Sequence, residues 1–185
     1  MAEIDDAIER ADREAFTRQP PKTLQARINF LMKQLKTTKA VAAEIDVSQR
    51  SVERYLKGER KQPPKAIADR IDAAVQQRWQ PRVRRRRQKQ AATTTGITVE
   101  TRARFGYTAP IGTTDDGRFR RLTVHLPPAY AQRLFNARES GAGDREMRQV
   151  IAEGFKDVYF QDGGNRALGL SDVTLNDIDY LDLDY

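Results

Sequence analysis

The sequence predicts an α+β protein: an N-terminal all-α domain built around a helix-turn-helix, a basic linker, and a small C-terminal α+β domain with antiparallel strands. Three patterns lead there. Apolar residues recur at helical spacing through residues 1–80. From Ile97 the apolar period falls to two, the mark of a half-buried strand. Between them, 81–96 is rich in arginine and small polar residues and has no apolar period. The expected domains are therefore 1–80 and 97–185, joined by 81–96. At roughly 100–200 residues per domain, a chain of 185 residues is one domain or two small ones.

Each element has its own signal. Ile4, Ile8, Ala11 and Ala15 form one stripe of a short helix, which Gln19, Pro20 and Pro21 end. A second helix over about 23–36 repeats Leu24, Ile28, Leu31 and Leu35 at amphipathic spacing. Thr37 and Thr38 are candidate N-caps for a third, over 39–45. Ser48 caps a fourth over 49–57, and Gly58 ends it. Pro63 and Pro64 open a fifth that carries Ile67, Ile71, Ala74 and Val75. Beyond the linker, Ile97, Val99, Thr101, Ala103, Phe105 and Tyr107 alternate with polar residues as a strand. Residues 108–117 read as a loop. Arg120, Leu122, Val124 and Leu126 suggest a second strand. Pro127 and Pro128 launch a helix with Tyr130, Leu134 and Ala137 inward. Asp144 caps another, lined by Met147, Ile151, Phe155 and Val158, and Gly163 and Gly164 end it. The ending VTLNDIDYLDLDY alternates apolar and acidic residues, with a phase slip between Tyr180 and Leu181. That fits either a third strand with a bulge or a frayed acidic tail.

Composition excludes several classes. Hydrophobic residues are 38%, enough for a modest core, and no apolar run approaches a bilayer span. The first residues lack a basic patch followed by an apolar stretch, so no secretory signal is expected. With no Cys there are no disulfides, thiolate metal sites or Cys nucleophile, which suits a cytoplasmic setting. One His cannot build a multi-His metal site. Residues 1–90 hold 22 Lys and Arg against 12 Asp and Glu, net +10, whereas 91–185 hold 11 against 14, net −3. A polyanion-binding first half is expected, with nucleic acid as the polyanion.

Thr38 to Gly58, TKAVAAEIDVSQRSVERYLKG, has the helix-turn-helix pattern. Ala42 and Ala43 are small where the helices must approach, and Val41, Ile45, Val47, Val52 and Leu56 supply apolar contacts. Asp46 stands where the turn usually has Gly, and Asp tolerates the left-handed conformation better than most. Ser48, which also caps the helix, and Gln49, Arg50, Glu53, Arg54 and Lys57 are expected to face DNA. Gln reads adenine and Arg reads guanine through paired hydrogen bonds in the major groove. An ordinary helical hairpin with charged outer faces would share these letters. Arg82, Arg84, Arg85, Arg86 and Arg87 are expected to contact phosphate without reading sequence, with no acids to pair with. A solvated linker is the plainer alternative.

The second half has no P-loop, no GxGxxG and no nucleophile elbow. His125 reads as a structural or surface residue. In GTTDDGRFRR, Gly112 to Arg121, two threonine hydroxyls precede two acids and three arginines. A threonine hydroxyl needs a nearby base or metal to act as a nucleophile, and flanking acids and cations suit phosphoryl chemistry on it. Asp115 and Asp116 can hold a metal with a further carboxylate, or simply form a turn.

Nearly the whole chain resembles the telomere terminal proteins of linear Streptomyces-type chromosomes and plasmids. The residues that carry the resemblance are FTRQPPKTLQARINFL, SQRSVERYLKGERKQP, RWQPRVRRRR, AATTTGITVETRARFGYTAP, TTDDGRFRRLTVHLPPAYAQRLF, VYFQDGG and NDIDYLDLDY. It implies a protein linked covalently to 5′ DNA ends, which protects them and primes the synthesis that fills the terminal gap. It places the priming hydroxyl at Thr114, with Thr113 as the competitor and Asp115 and Asp116 as possible metal or loop-positioning groups. It implies that the chain is primer and substrate rather than enzyme, with no intrinsic cofactor. A DNA polymerase would supply Mg²⁺ and dNTP. The implied partners are telomeric DNA, duplex and single-stranded 3′ overhang, that polymerase and a telomere-associated protein, with no membrane. The implied location is the bacterial nucleoid, at DNA ends.

Two other readings compete. The helix-turn-helix alone supports a transcription regulator, which would leave DNA on denaturation. A strand-transferring enzyme with Tyr107, Tyr130 or Tyr159 as nucleophile ranks last, for want of a surrounding catalytic cluster.

Overall fold

The computed structural model describes residues 3–185. It contains eight α-helices and one antiparallel sheet of four strands, an α+β fold with helices leading and strands following. The chain divides into two compact units. One is Phe16–Pro81. The other joins the N-terminal segment up to Ala15 to Arg82–Tyr185. The division differs from the expected 1–80, 81–96 and 97–185, because the first helix belongs to the sheet unit and the basic segment is not a linker.

Phe16–Pro81 is four helices: α2 (Leu24–Leu35), α3 (Thr38–Glu44), α4 (Gln49–Leu56) and α5 (Lys65–Arg78). The starts of α2, α3 and α4 are set by side-chain caps. The hydroxyls of Thr23, Thr37 and Ser48 accept from the N–H groups of Ala26, Ala40 and Ser51 at 3.1–3.2 Å. Ile28, Leu31, Val41, Ala42, Ile45, Val52, Tyr55, Ile71, Ala74 and Val75 form the core. Val47 and Leu56 only flank it, and Ala43 is exposed. The fully buried aromatic is Tyr55, three residues beyond Val52 on the same stripe.

The other unit is built on one long strand, β1 (Ile97–Ala109). Along one edge it pairs with β3 (Arg120–Leu126) and then β2 (Gly112–Asp115), and along the other with β4 (Asp172–Asp184). The odd-numbered side chains of β1 from Ile97 to Phe105 are buried under α1 (Glu3–Glu14), α7 (Pro128–Glu139), α8 (Asp144–Gly154) and the π-helical turn Phe155–Phe160. The even-numbered ones face out, as the period of two requires. Residues 108–117 are therefore not a loop: Ala109 pairs with Gly112, and β2 runs back along β1. The chain end is a strand rather than a frayed tail. Its register shifts twice, between Arg102/Ala103 and between Ala103/Phe105. Two bulges explain why Val173 and Leu175, then Leu181 and Leu183, are buried while Ile178 between them is out of phase.

The expected linker is helix α6 (Pro81–Gln90), continued by a π-helical turn over Ala91–Thr95. Asp144 does not cap α8: Gly143 is the N-cap, and the Asp144 carboxylate accepts from the Ile4 N–H at 2.8 Å and pairs with Arg148. Among the described residues, no helix is long and apolar enough to cross a membrane.

Candidate functional site

Three features carry chemistry: the α3–α4 turn, the outward face of α6, and the β1–β2 hairpin.

Asp46 takes the left-handed conformation the turn demands, φ 50°. Arg70 holds it there, with Nη1 2.7 Å from Asp46 Oδ2 and also facing the Ile45 and Asp46 carbonyls. With Val52 and Tyr55 inward, Gln49, Arg50, Glu53, Arg54 and Lys57 lie exposed. Ser48 is committed to capping, with its hydroxyl also 2.9 Å from that of Ser51. Arg54 lies 3.6 Å from Glu59, so part of its charge is answered within the chain. Phe16–Pro81 carries fourteen Lys and Arg against six Asp and Glu, net +8, which leaves −1 for the rest of the chain's +7. The excess positive charge therefore resides in the unit with the helix-turn-helix.

In α6 the arginines are sorted by face. Arg84 is buried: its guanidinium donates to Glu9 at 2.9 and 3.1 Å and reaches Asp12 at 3.5 Å. Arg138 adds a second guanidinium to Glu9, Asp5 and Asp12. Burial pushes the Glu9 carboxyl up, but the hydrogen bonds from Arg84 and Arg138 outweigh it and hold it below the usual range. At Asp12, fully buried, desolvation prevails and its pKa is raised. Arg87 lies 3.8 Å from Asp184. The expectation that Arg84–Arg87 have no acids to pair with fails at these two positions. α1 and β4, remote in sequence, bring the acids. What remains outward is Arg82, Arg85, Arg86 and Lys89, all exposed. At spacings of three, four and seven from Arg82 they form one stripe of like charge.

The hairpin holds the threonines. Directly opposed residues of paired strands share a face. Thr113 opposes Thr108, with the hydroxyls 3.2 Å apart on the outer face. Thr114 opposes Tyr107 on the helix-covered face, at a solvent-exposed position of an edge strand. The Tyr107 ring stands edge-on to Phe160, and burial raises its pKa, so it stays protonated. Asp115 and Asp116 point to opposite faces and cannot ligate one ion together. Asp115 accepts from Asn176 Nδ2 at 2.8 Å, and Asn176 in turn accepts from the Thr174 hydroxyl. This bridge crosses Gly106, where an added Cβ would stand 2.4 Å from Thr174 Oγ1 and 2.7 Å from Asp115 Oδ1. Asp116 continues the pairing by donating its N–H to the Phe105 carbonyl at 2.8 Å, which places it on the Thr114 side. Its carboxylate accepts from the Arg118 N–H at 3.0 Å and from Arg120 Nε at 2.7 Å. The backbone N–H of Arg118, then Arg120, holds it below the ordinary carboxylate range. Thr114, Asp116 and Arg120, the last on β3, thus lie on one face of the sheet, with Tyr107 beside them.

Among the described residues no three His, Cys, Asp or Glu side chains gather as a metal site. His125 is a surface residue, its Nδ1 3.1 Å from the Thr98 hydroxyl. Sequence reasoning missed Arg120 and Gly106 as organisers of the hairpin; Gly106 in mid-strand was the available signal, since a strand glycine marks a close approach. No family model matches the chain, and neither a curated protein nor a solved structure does.

Proposed function

We propose that this chain is a protein primer for DNA ends: it becomes linked to the 5′ nucleotide of a linear replicon through the Thr114 hydroxyl and stays there to protect the end. The observation that carries the reading is the placement of Thr114. It lies exposed on an edge strand held in register with β1, on the same face as the ionised Asp116 and Arg120. In the reaction Thr114 Oγ1 attacks the α-phosphate of a dNTP, a P–O bond forms, pyrophosphate leaves, and the hydroxyl proton passes to solvent or to a base of the polymerase. That polymerase supplies Mg²⁺ and the nucleotide. Asp116 holds Arg118 and Arg120 next to the site, where their charge favours an approaching phosphate. The α6 stripe and Phe16–Pro81 provide phosphate contacts, and α4 offers Gln49 and Arg50 to base edges.

The test is incubation with labelled dNTPs, a DNA polymerase from the same cell, Mg²⁺ and telomeric template, followed by phosphoamino-acid analysis. Thr114→Ser is expected to retain some labelling, and Thr114→Ala and Thr114→Val to abolish it with fold and DNA binding intact. Thr113→Ala is expected only to impair it. Labelling of Thr114→Ala together with loss in Thr113→Ala or Tyr107→Phe would move the linkage to another residue. A wild-type chain that is never labelled, and that leaves telomeric DNA on denaturation, would instead favour a transcription regulator.

A further inference from the structure

The return strand carries each chemical type twice in succession, Thr113 then Thr114 and Asp115 then Asp116. All four residues of β2 are exposed, so none anchors it in the core. Shifting a strand by one residue turns every side chain to the opposite face. Slipped by one, β2 would set Thr113 opposite Tyr107, and Asp115 where Asp116 now meets Arg120. The turn would lengthen from Pro110 and Ile111 to include Ala109, and hairpins accept both two and three residues there. Gly117 stands in open space, which leaves room for the displaced residue. The helix-covered face thus presents the same chemistry in either register, and the outer face does not. There Asp115 Oδ1 accepts from Asn176 Nδ2 at 2.8 Å, and the Thr174 hydroxyl holds Asn176 by donating to its Oδ1 at 2.8 Å. In the slipped strand Thr114 would lie over Gly106 instead. Its hydroxyl is one atom nearer the backbone than a carboxylate oxygen and carries no charge to attract the amide. The contact between the Thr108 and Thr113 hydroxyls would be lost too, since Gly112 would oppose Thr108.

We infer that Asn176 is a positioning residue that sets the register of β2 and so decides which of two adjacent threonines is the primer. The inference rests on the priming reading and deepens it. Asn176 belongs to the final strand and reaches β2 across β1, over Gly106, where an added Cβ would stand 3.0 Å from its amide nitrogen. It acts through Asp115 alone. A hydrogen bond to a charged group is among the stronger ones, and at this exposed place its lower range applies, a preference of roughly tenfold for the register that makes it. In either register the step is the same. The threonine Oγ1 that faces Tyr107 attacks the dNTP α-phosphate, a P–O bond forms, pyrophosphate leaves, and the proton passes to solvent or to a base of the polymerase.

The experiment releases the register in a chain that has lost its primer. With the polymerase, Mg²⁺ and labelled dNTP that label wild type, Thr114→Ala alone is expected to stay unlabelled. Thr114→Ala/Asn176→Ala is expected to regain label, located on Thr113 by tandem mass spectrometry. With Thr114 present, Asn176→Ala is expected to raise the share of label on Thr113 about tenfold. Asn176→Asp sets a second carboxylate against Asp115 and should raise that share further. Asp115→Asn/Asn176→Asp exchanges amide and carboxylate, restores the bond, and should return the label to Thr114. NMR of the full chain without polymerase reads the register itself. In Asn176→Ala the cross-strand contacts of Tyr107 are expected to move in part from Thr114 to Thr113, with those between β1 and β4 unchanged. Label and contacts that stay on Thr114 in both Asn176→Ala and Asn176→Asp overturn the positioning role and leave the priming reading standing. A wild type that is never labelled overturns the priming reading, and with it the choice between threonines, even where the NMR contacts shift.

Discussion

Replacing Arg84 by Ala separates the two kinds of arginine in α6. The side chain is 9% exposed and sits between Glu9 and Asp12, themselves 17% and 0% exposed. Its removal leaves the buried Asp12 and the partly buried Glu9 with one guanidinium fewer. Breaking a buried ion pair by deleting one partner costs about 3–5 kcal/mol. Arg138 still reaches Glu9 and Asp12, so the lower end, about 3 kcal/mol, applies. At roughly 4 °C per kcal/mol for a unit of moderate size, the melting temperature is expected to fall by about 10 °C or more. Circular dichroism melts of the full chain read this directly, beside titrations of labelled duplex at several salt concentrations. Arg85→Ala and Arg86→Ala should do the reverse. They should leave the melt within about 2 °C and weaken binding to every duplex alike, lowering the slope of log affinity against log salt by roughly one each. The reasoning is refuted if Arg84→Ala melts with wild type and loses DNA affinity as Arg85→Ala does.

Gly106→Ala should cost about 1–2 kcal/mol, since its methyl displaces the Thr174–Asn176–Asp115 bridge; an unchanged denaturation midpoint would show the bridge to be dispensable. Arg50→Ala should relax base preference at one position of a bound duplex at a cost of about 1–3 kcal/mol in affinity; binding profiles identical to wild type would reduce α3–α4 to a structural hairpin. Tyr130 donates to Asp157, and burial, then that carboxylate, pushes its pKa up to about 12. Its folded value lies above the unfolded value of about 10, so its contribution is whole below pH 10 and is lost as pH rises toward 12. Tyr130→Phe should therefore lose less stability than wild type across that window in urea titrations, and equal losses would contradict the assignment.

How far the sequence speaks depends on where each signal originates. In Phe16–Pro81 the partners are close in sequence, and local chemistry sufficed: Thr37 and Ser48 cap the helices expected of them, Thr23 stands as the cap at the expected start of α2, and Asp46 stands in for Gly. α6 escaped because its inward face is polar. A helix whose buried residue is Arg84 has no apolar period, and the acids that make burial tolerable lie on α1. β2 escaped because all four of its residues are exposed and no alternation marks them as a strand; only pairing with β1 does so. The same pairing sorts Thr113 from Thr114 and Asp115 from Asp116. From letters alone both pairs read as equivalent neighbours. The phase slip in the final strand was visible once, at Tyr180–Leu181. The compensating slip near Ile178 hid behind the Asn-Asp pair at 176–177.

The N-terminal helix and the final strand belong to one folded body, and this has a temporal consequence. Arg10 pairs with Asp182, and the Tyr185 hydroxyl donates to Asp12 at 2.7 Å, across separations of 172 and 173 residues. On a ribosome adding about 5–20 residues per second, α1 emerges on the order of ten seconds or more before its partner strand exists. Phe16–Pro81 needs nothing beyond Pro81 for its own core, so it is free to form in that interval. The nascent chain thus acquires its helix-turn-helix first, while the acidic face of α1 stays in water. The body that presents Thr114 is completed only when β4 closes the open edge of β1.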